Sequence, residues 1–334
     1  MAANGKINGH RPERLMRRLM PAVGVGIADL PPPFERAVDA VTEIRTSIAP
    51  DARSATLLGT ERRGSAVMLD QDGLALTIGY LLLESHSIEL ADRDGGWIKA
   101  DFVGYDFETG FGLVRAVMPM GMHVAALGDA ALIGEGNQLI VAGPGGKDLA
   151  MPTTVVSLRP FAGYWEYYLE RAIFTAPAYP EWSGVALIGG DGGVVGIGSL
   201  LVEVAGGAGP TGHGNMFVPT DLLKPVLGDL VAHGRVARRS RPWLGLFTAD
   251  ANDALVVMHV VAGGPAEKAG IAVGDVIVSV AGTAVDDLAE FYHGYWQLGA
   301  AGVDVPLTIL RHGKRRDIRV RSADRYDFYR TPRP

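Results

Sequence analysis

The stretch 180–198, "PEWSGVALIGGDGGVVGIG", sets Ser183 on a glycine-flanked turn immediately before two short apolar runs divided by "GGDGG". A hydroxyl on such a turn suits acyl transfer, because it projects from a tight loop whose backbone N–H groups can face an oxyanion. The same residues also make an ordinary turn into a strand. Neighbouring sequence has to decide between the two.

Outward from this stretch, residues 55–200 repeat one pattern: "GSAVMLDQDGLALTI", "WIKADFVGYD", "GFGLVRAV", "QLIVAG" and "TTVVSL" are short apolar runs separated by Gly, Asp and Asn turns. Strands at this spacing predict a sandwich or barrel. Before them, "PPPFERAVDAVTEIRTSI" (31–48) carries Phe34, Val38, Val41, Ile44 and Ile48 at helical spacing behind a proline start, which predicts an amphipathic helix. After them come a strand, a helix over 220–233 and a Gly/Arg/Pro-rich linker. The segment 242–322 reads as a compact mixed unit with a helix in "DDLAEFYHGYWQL" and a closing hairpin at His312-Gly313. Its run "RHGKRR" is expected to be a solvated edge that discourages strand pairing with other chains.

The 334 residues, 48% apolar and 20% charged, predict about two globular domains. A net charge of -6 argues against nucleic acid as a partner. No cysteine is present, which excludes disulfides, thiolate catalysis and Cys-ligated metals. No histidine pair has zinc-like spacing with a third ligand, and "GPGGKD" (143–148) lacks the glycine spacing and the Ser/Thr of a phosphate loop, so no metal and no cofactor are expected. No apolar run is long enough for a transmembrane segment. Residues 1–32 join a basic stretch to a weakly apolar one ending in "GIA", a faint likeness to a secretory signal. Pro21, Gly24 and Gly26 interrupt the apolar part, so a flexible, uncleaved arm and a cytoplasmic location are expected.

Taken in order, "RRGSAVMLDQDGLALTIGYLL", "VGYDFETGFGLV", "ALGDAALIGEGNQLIVAGPGG", "PEWSGVALIGGDGGVVGIG", "NMFVPTDLL" and "RPWLGL…GPAEKAGIAVGDVIVSVAG" resemble the HtrA/DegP-like trypsin-fold serine proteases that carry a C-terminal PDZ domain. The resemblance spans residues 35–322. It implies a mostly β chain: a flexible arm over 1–32, a trypsin-like double β-barrel over 33–235, an α+β PDZ domain over 236–325 and a tail over 326–334. It also implies a periplasmic location as the alternative to the cytoplasm, and leaves a homotrimer open as the assembly.

Aligned by these motifs, Ser183 stands at the nucleophile position, Tyr80 replaces the catalytic His and Gly110 replaces the catalytic Asp. Glu181 and Trp182 replace the Gly and Asn that precede the serine. A serine hydroxyl without an activating base is a weak nucleophile, and a phenol is a proton donor at neutral pH, so the motif predicts a pseudoprotease. His86 lies six residues after Tyr80, and Asp106 and Glu108 lie just before Gly110, but a shift of register along a strand turns a side chain to the other face. His86 reads as a surface residue, and His213 sits in a glycine loop with no partner in view. In the PDZ-like part, Trp243, Leu244, Gly245 and Leu246 align with the carboxylate-binding loop, while Leu288, Phe291 and Tyr295 share one helix face. The resemblance implies peptides, or C-termini of unfolded or partner proteins, as ligands, and a role as scaffold, regulator or holdase. An active endopeptidase of protein quality control is the alternative.

Overall fold

The structure is a computed structural model describing residues 31–204, 212–251 and 254–332. Apart from its end, the expected N-terminal arm lies outside the described residues. The architecture is mostly β, with two closed barrels in one compact unit and an α+β PDZ fold in the other.

The first barrel joins β1 (Val41–Ile48), β2 (Glu61–Met68), β3 (Leu74–Ile78), β4 (Ser85–Ala91), β5 (Trp97–Tyr105) and β6 (Phe111–Ala116) in the order β1-β2-β3-β6-β5-β4. All its ladders are antiparallel. Ile44, Val67, Leu76, Leu90 and Leu113 fill its interior and are almost completely buried. The expected helix over 31–48 forms only as Pro32–Asp39, and its second half is β1. Val41, Thr42, Ile44, Thr46 and Ile48 are β-branched, and pairing on both sides, with β2 and β4, outweighs a helical spacing that these apolar residues equally satisfy.

The second barrel joins β7 (Gln138–Ala142), β8 (Met151–Gly163), β9 (Tyr167–Ala176), β10 (Ala186–Ile188), β11 (Val194–Glu203) and β12 (His213–Pro219) in the order β10-β11-β12-β9-β8-β7. Leu139, Val141, Ile173, Leu187, Val195 and Phe217 form its core. The helix expected over 220–233 splits into a 3₁₀ turn at Thr220–Leu222 and an α-helix at Leu227–His233. Pro225 stands between them, where a continuing helix would lose a backbone donor.

The other unit comprises Ala237–Arg330 together with Pro160–Glu170, the tip of the β8–β9 hairpin. Its sheet runs β13 (Leu246–Asp250), β14 (Leu255–Val260), β15 (Val276–Val280), β17 (Asp304–Arg311), β18 (Lys314–Arg321), with β16 (Thr283–Ala284) beside β15. The helix Leu288–Trp296 starts at Asp287, whose carboxylate accepts from the Glu290 N–H at 2.8 Å. Leu288, Phe291, Tyr292 and Tyr295 are its buried face. As read from the sequence, β17 and β18 turn at His312-Gly313.

The barrels meet at the serine turn. Ser65 of β2 donates its N–H to the Ser183 carbonyl at 2.7 Å, and the Gly184 N–H donates to the Gly198 carbonyl of β11 at 2.8 Å. Gly184 has φ +81°, and a Cβ there would overlap the Ser65 carbonyl oxygen and come within 2.8 Å of the Thr77 hydroxyl. Only glycine satisfies both the dihedral and the space. Gly184→Ala is therefore expected to destabilise the barrel unit by about 3 kcal/mol or more, read as a fall in the urea midpoint; a cost within ~0.5 kcal/mol would show that the turn moves freely.

Candidate functional site

The segment leading to Ser183 is pinned at both ends. The Asn215 side chain of β12 accepts from the Tyr179 N–H at 2.6 Å and donates to the Tyr179 carbonyl at 3.1 Å, while Ser183 and Gly184 are held as described. Burial, with the charge of exposed Glu181 in second place, pushes the Tyr179 phenol up to about 12.

Tyr80 lies on the 3₁₀ turn Gly79–Leu81 that follows β3. Two buried side chains fix this turn: the Arg62 guanidinium donates to the carbonyls of Tyr80 (2.7 Å) and Leu83 (2.9 Å) and to the Ser54 hydroxyl, and the Thr46 hydroxyl donates to the Leu81 carbonyl at 2.7 Å. Desolvation lowers the Arg62 pKa to about 10, so it stays charged at neutral pH. So held, Tyr80 brings its hydroxyl to 2.6 Å from the Ser183 Oγ, with the Ser199 carbonyl at 3.2 Å.

That geometry limits the chemistry. The Ser199 carbonyl can only accept, so the phenol donates to it, and either hydroxyl can be the donor in the contact between Tyr80 and Ser183. Burial pushes the phenol up to about 12, against the opposing hydrogen bond to Ser183, so roughly 10⁻⁵ of it is phenolate at pH 7. Neutral phenol is not the general base that an attacking serine needs.

Gly110 has φ +81° and accepts from the Gly79 N–H through its carbonyl at 2.7 Å. It brings backbone to the site and no carboxylate. The Asp106 carboxylate is buried and accepts from the N–H of Glu108 and from the N–H and hydroxyl of Thr109, organising its own turn. His86 is exposed on β4, and His213 opens β12. Sequence reasoning missed Arg62 and Thr46, since an Arg in a strand gives no sign that its head will be buried against carbonyls.

In the PDZ unit, the residues placed on the peptide loop part company. The Trp243 N–H donates to the Ala323 carbonyl at 3.1 Å, and its ring packs on Phe328 and Tyr329. Leu244, Gly245 and Leu246 instead aim three consecutive N–H groups at one carboxylate, that of Glu166: Leu244 to Oε2 at 2.8 Å, Gly245 to Oε1 at 2.7 Å and Leu246 to Oε1 at 2.9 Å. Gly245, at φ +77°, lets the loop curl into this nest. The Tyr295 hydroxyl adds a fourth donor, to Oε2 at 2.7 Å. Leu288 and Phe291 lie in the core beneath. Burial raises the Glu166 pKa, while these donors and the Arg325 charge pull it down. A loop expected to be open for a ligand is filled by the chain itself. The sequence signal was a lone carboxylate in the aromatic run "GYWEYY" (163–168).

Comparison with known proteins agrees with this division. The trypsin-like peptidase domain family matches residues 64–197 and the PDZ domain family matches 242–321. A probable periplasmic serine endoprotease DegP-like of Pseudomonas putida is 29% identical over 271 residues, 77% of this chain and 55% of the relative. The serine protease Do-like HtrA of Bacillus subtilis is 25% identical over 318 residues, 86% of this chain and 70% of the relative. The chain thus spans about half the length of the DegP-like relative. The solved structure of the HtrA-type protease AlgW with decapeptide shares the fold, with a TM-score of 0.53 at 22% identity over 90% of this chain and 98% of that one.

Removing the Tyr80 hydroxyl tests the serine contact. Tyr80→Phe is expected to cost about 1 kcal/mol of stability at pH 7–9. Because the folded pKa is raised, the wild-type advantage is complete below the unfolded value near 10 and shrinks as pH rises toward about 12. Paired urea titrations check this, and a pH-independent gap would contradict it.

Proposed function

The chain belongs to the HtrA family, a trypsin-like domain followed by a PDZ domain, and from that premise we propose that it is a proteolytically inactive member that binds peptides or unfolded chains as a scaffold, regulator or holdase. The observation that carries this is the 2.6 Å contact between Ser183 Oγ and the phenol of Tyr80, in place of an imidazole backed by a carboxylate. Loss of the base alone removes most of the rate in a serine protease, and the missing orienting group cannot then add much further loss.

The relatives are named serine proteases, so the rival reading is an active endopeptidase. The geometry favours inactivity, since no imidazole or carboxylate hydrogen-bonds to Ser183 among the described residues. The proposed peptide site is the loop Leu244–Leu246 with Tyr295, Leu288 and Phe291. AlgW, solved with peptides, supports the ligand class, and the names of the DegP-like relatives support a periplasmic setting over the cytoplasm.

Fluorophosphonate labelling with intact-mass readout decides between the readings. Ser183 is expected to react no faster than an exposed serine, and stoichiometric labelling lost in Ser183→Ala would overturn the proposal. The double variant Tyr80→His, Gly110→Asp is expected to stay nearly inert toward casein. Glu181 and Trp182 still occupy the loop that must form the oxyanion site, and positioning errors of about 1 Å are costly there.

A further inference from the structure

The Glu166 contact extends beyond one side chain. Along the edge strand β13, the Leu246 N–H reaches Glu166 Oε1 and the Thr248 N–H donates to the Tyr164 carbonyl at 2.9 Å. Residues 164–166 thus occupy, through one backbone carbonyl and one side-chain carboxylate, two donors of the open sheet edge that an added strand would use. The helix face closes over them: the Tyr292 hydroxyl donates to the Gly163 carbonyl at 2.6 Å and accepts from the Glu166 N–H at 3.2 Å. Tyr164 packs on Phe247, and Ala162 and Tyr168 pack against the domain core.

The main elements of C-terminal peptide capture are therefore in use. A carboxylate sits in a nest of three amides, a turn carbonyl takes one N–H of the edge strand, and a helix lies across the tip. The occupant is a side-chain carboxylate at the tip of a hairpin whose two strands belong to the second barrel. Glu166 is 6% exposed and holds φ +59°, a left-handed conformation that costs a non-glycine residue energy unless its surroundings enforce it. The backbone strain opposes the docked state, and the carboxylate contacts oppose the strain.

The geometry points to an internal ligand: the hairpin tip Gly163–Glu166 occupies the PDZ groove as a mimic of a peptide C-terminus, and a free C-terminal carboxylate enters only in exchange for it. This rests on reading the groove as a peptide site. The groove is self-occluded, and its apparent affinity for peptides is reduced by the fraction of molecules in which the tip is out.

The test uses the full chain and a fluorescein-labelled decapeptide ending in leucine with a free carboxylate, beside its amidated twin. Glu166→Gln replaces one acceptor oxygen by a donor that faces the Leu244 N–H, and Glu166→Ala empties the nest. Polarisation titrations are expected to show both variants binding the free-carboxylate peptide at least ~30-fold more tightly than wild type, with amidation abolishing the gain. Equal binding by wild type and variants would overturn self-occlusion while leaving peptide binding intact. No binding by any form would sink both the exchange and the peptide-site reading. Should the variants misfold, hydrogen exchange on wild type decides: saturating peptide is expected to speed exchange at Gly163–Glu166 while the amides of Leu244–Leu246 stay protected. An unchanged tip with peptide bound would overturn the exchange.

Discussion

Four donors converge on the Glu166 carboxylate, and the organisation of the PDZ unit depends on them. Three successive amides of one loop cannot pair with their own sheet while they point at a common centre, so without an acceptor they would be buried and unsatisfied. A carboxylate meets that demand, and it must come from a ligand or from the chain. Here the chain provides it, and with it come the edge-strand pairing of Tyr164 and the two tyrosine hydroxyls of the helix Leu288–Trp296. The same contacts that complete the domain also occupy the amides of the loop Leu244–Leu246.

The barrel site shows a different economy. Loop geometry around Ser183 is enforced by packing: the Ser65 amide, the Gly198 carbonyl, the Asn215 side chain and the space available only to Gly184 hold it whether or not chemistry follows. Triad chemistry, by contrast, needs two side chains that the barrels do not require for folding. Tyr80 and Gly110 both fit the backbone at their positions. Arg62 and Thr46 hold the turn of Tyr80 firmly, so the serine is presented on an ordered scaffold to a phenol that keeps its proton.

Much of this was legible in the residues. Strand–turn alternation announced a sandwich or a barrel, and the ordered motifs narrowed it to a double barrel followed by a PDZ domain. Reading failed where two structures share one pattern. Val41, Ile44 and Ile48 suit a helix and a strand alike, and the pairing of β1 with β2 and β4 decided. Pro225 is the breaker that splits the expected helix into Thr220–Leu222 and Leu227–His233. Trp243 sat in the right motif, yet its amide turned to Ala323, because pairing with the chain's end competes with any ligand for that donor.

The sequence by itself determined the two-part trypsin-like and PDZ design, which follows from the order and type of neighbouring residues, and it set Tyr80 and Gly110 where the resemblance implies a base and its carboxylate. Only the tertiary structure decided that Arg62 positions Tyr80, that Tyr80 touches Ser183, and that Glu166 fills the loop Leu244–Leu246. The physical reason is separation along the chain: these pairs lie 18, 103 and about 80 residues apart. Hydrogen bonds across such distances depend on barrel closure and hairpin length, which no local pattern records.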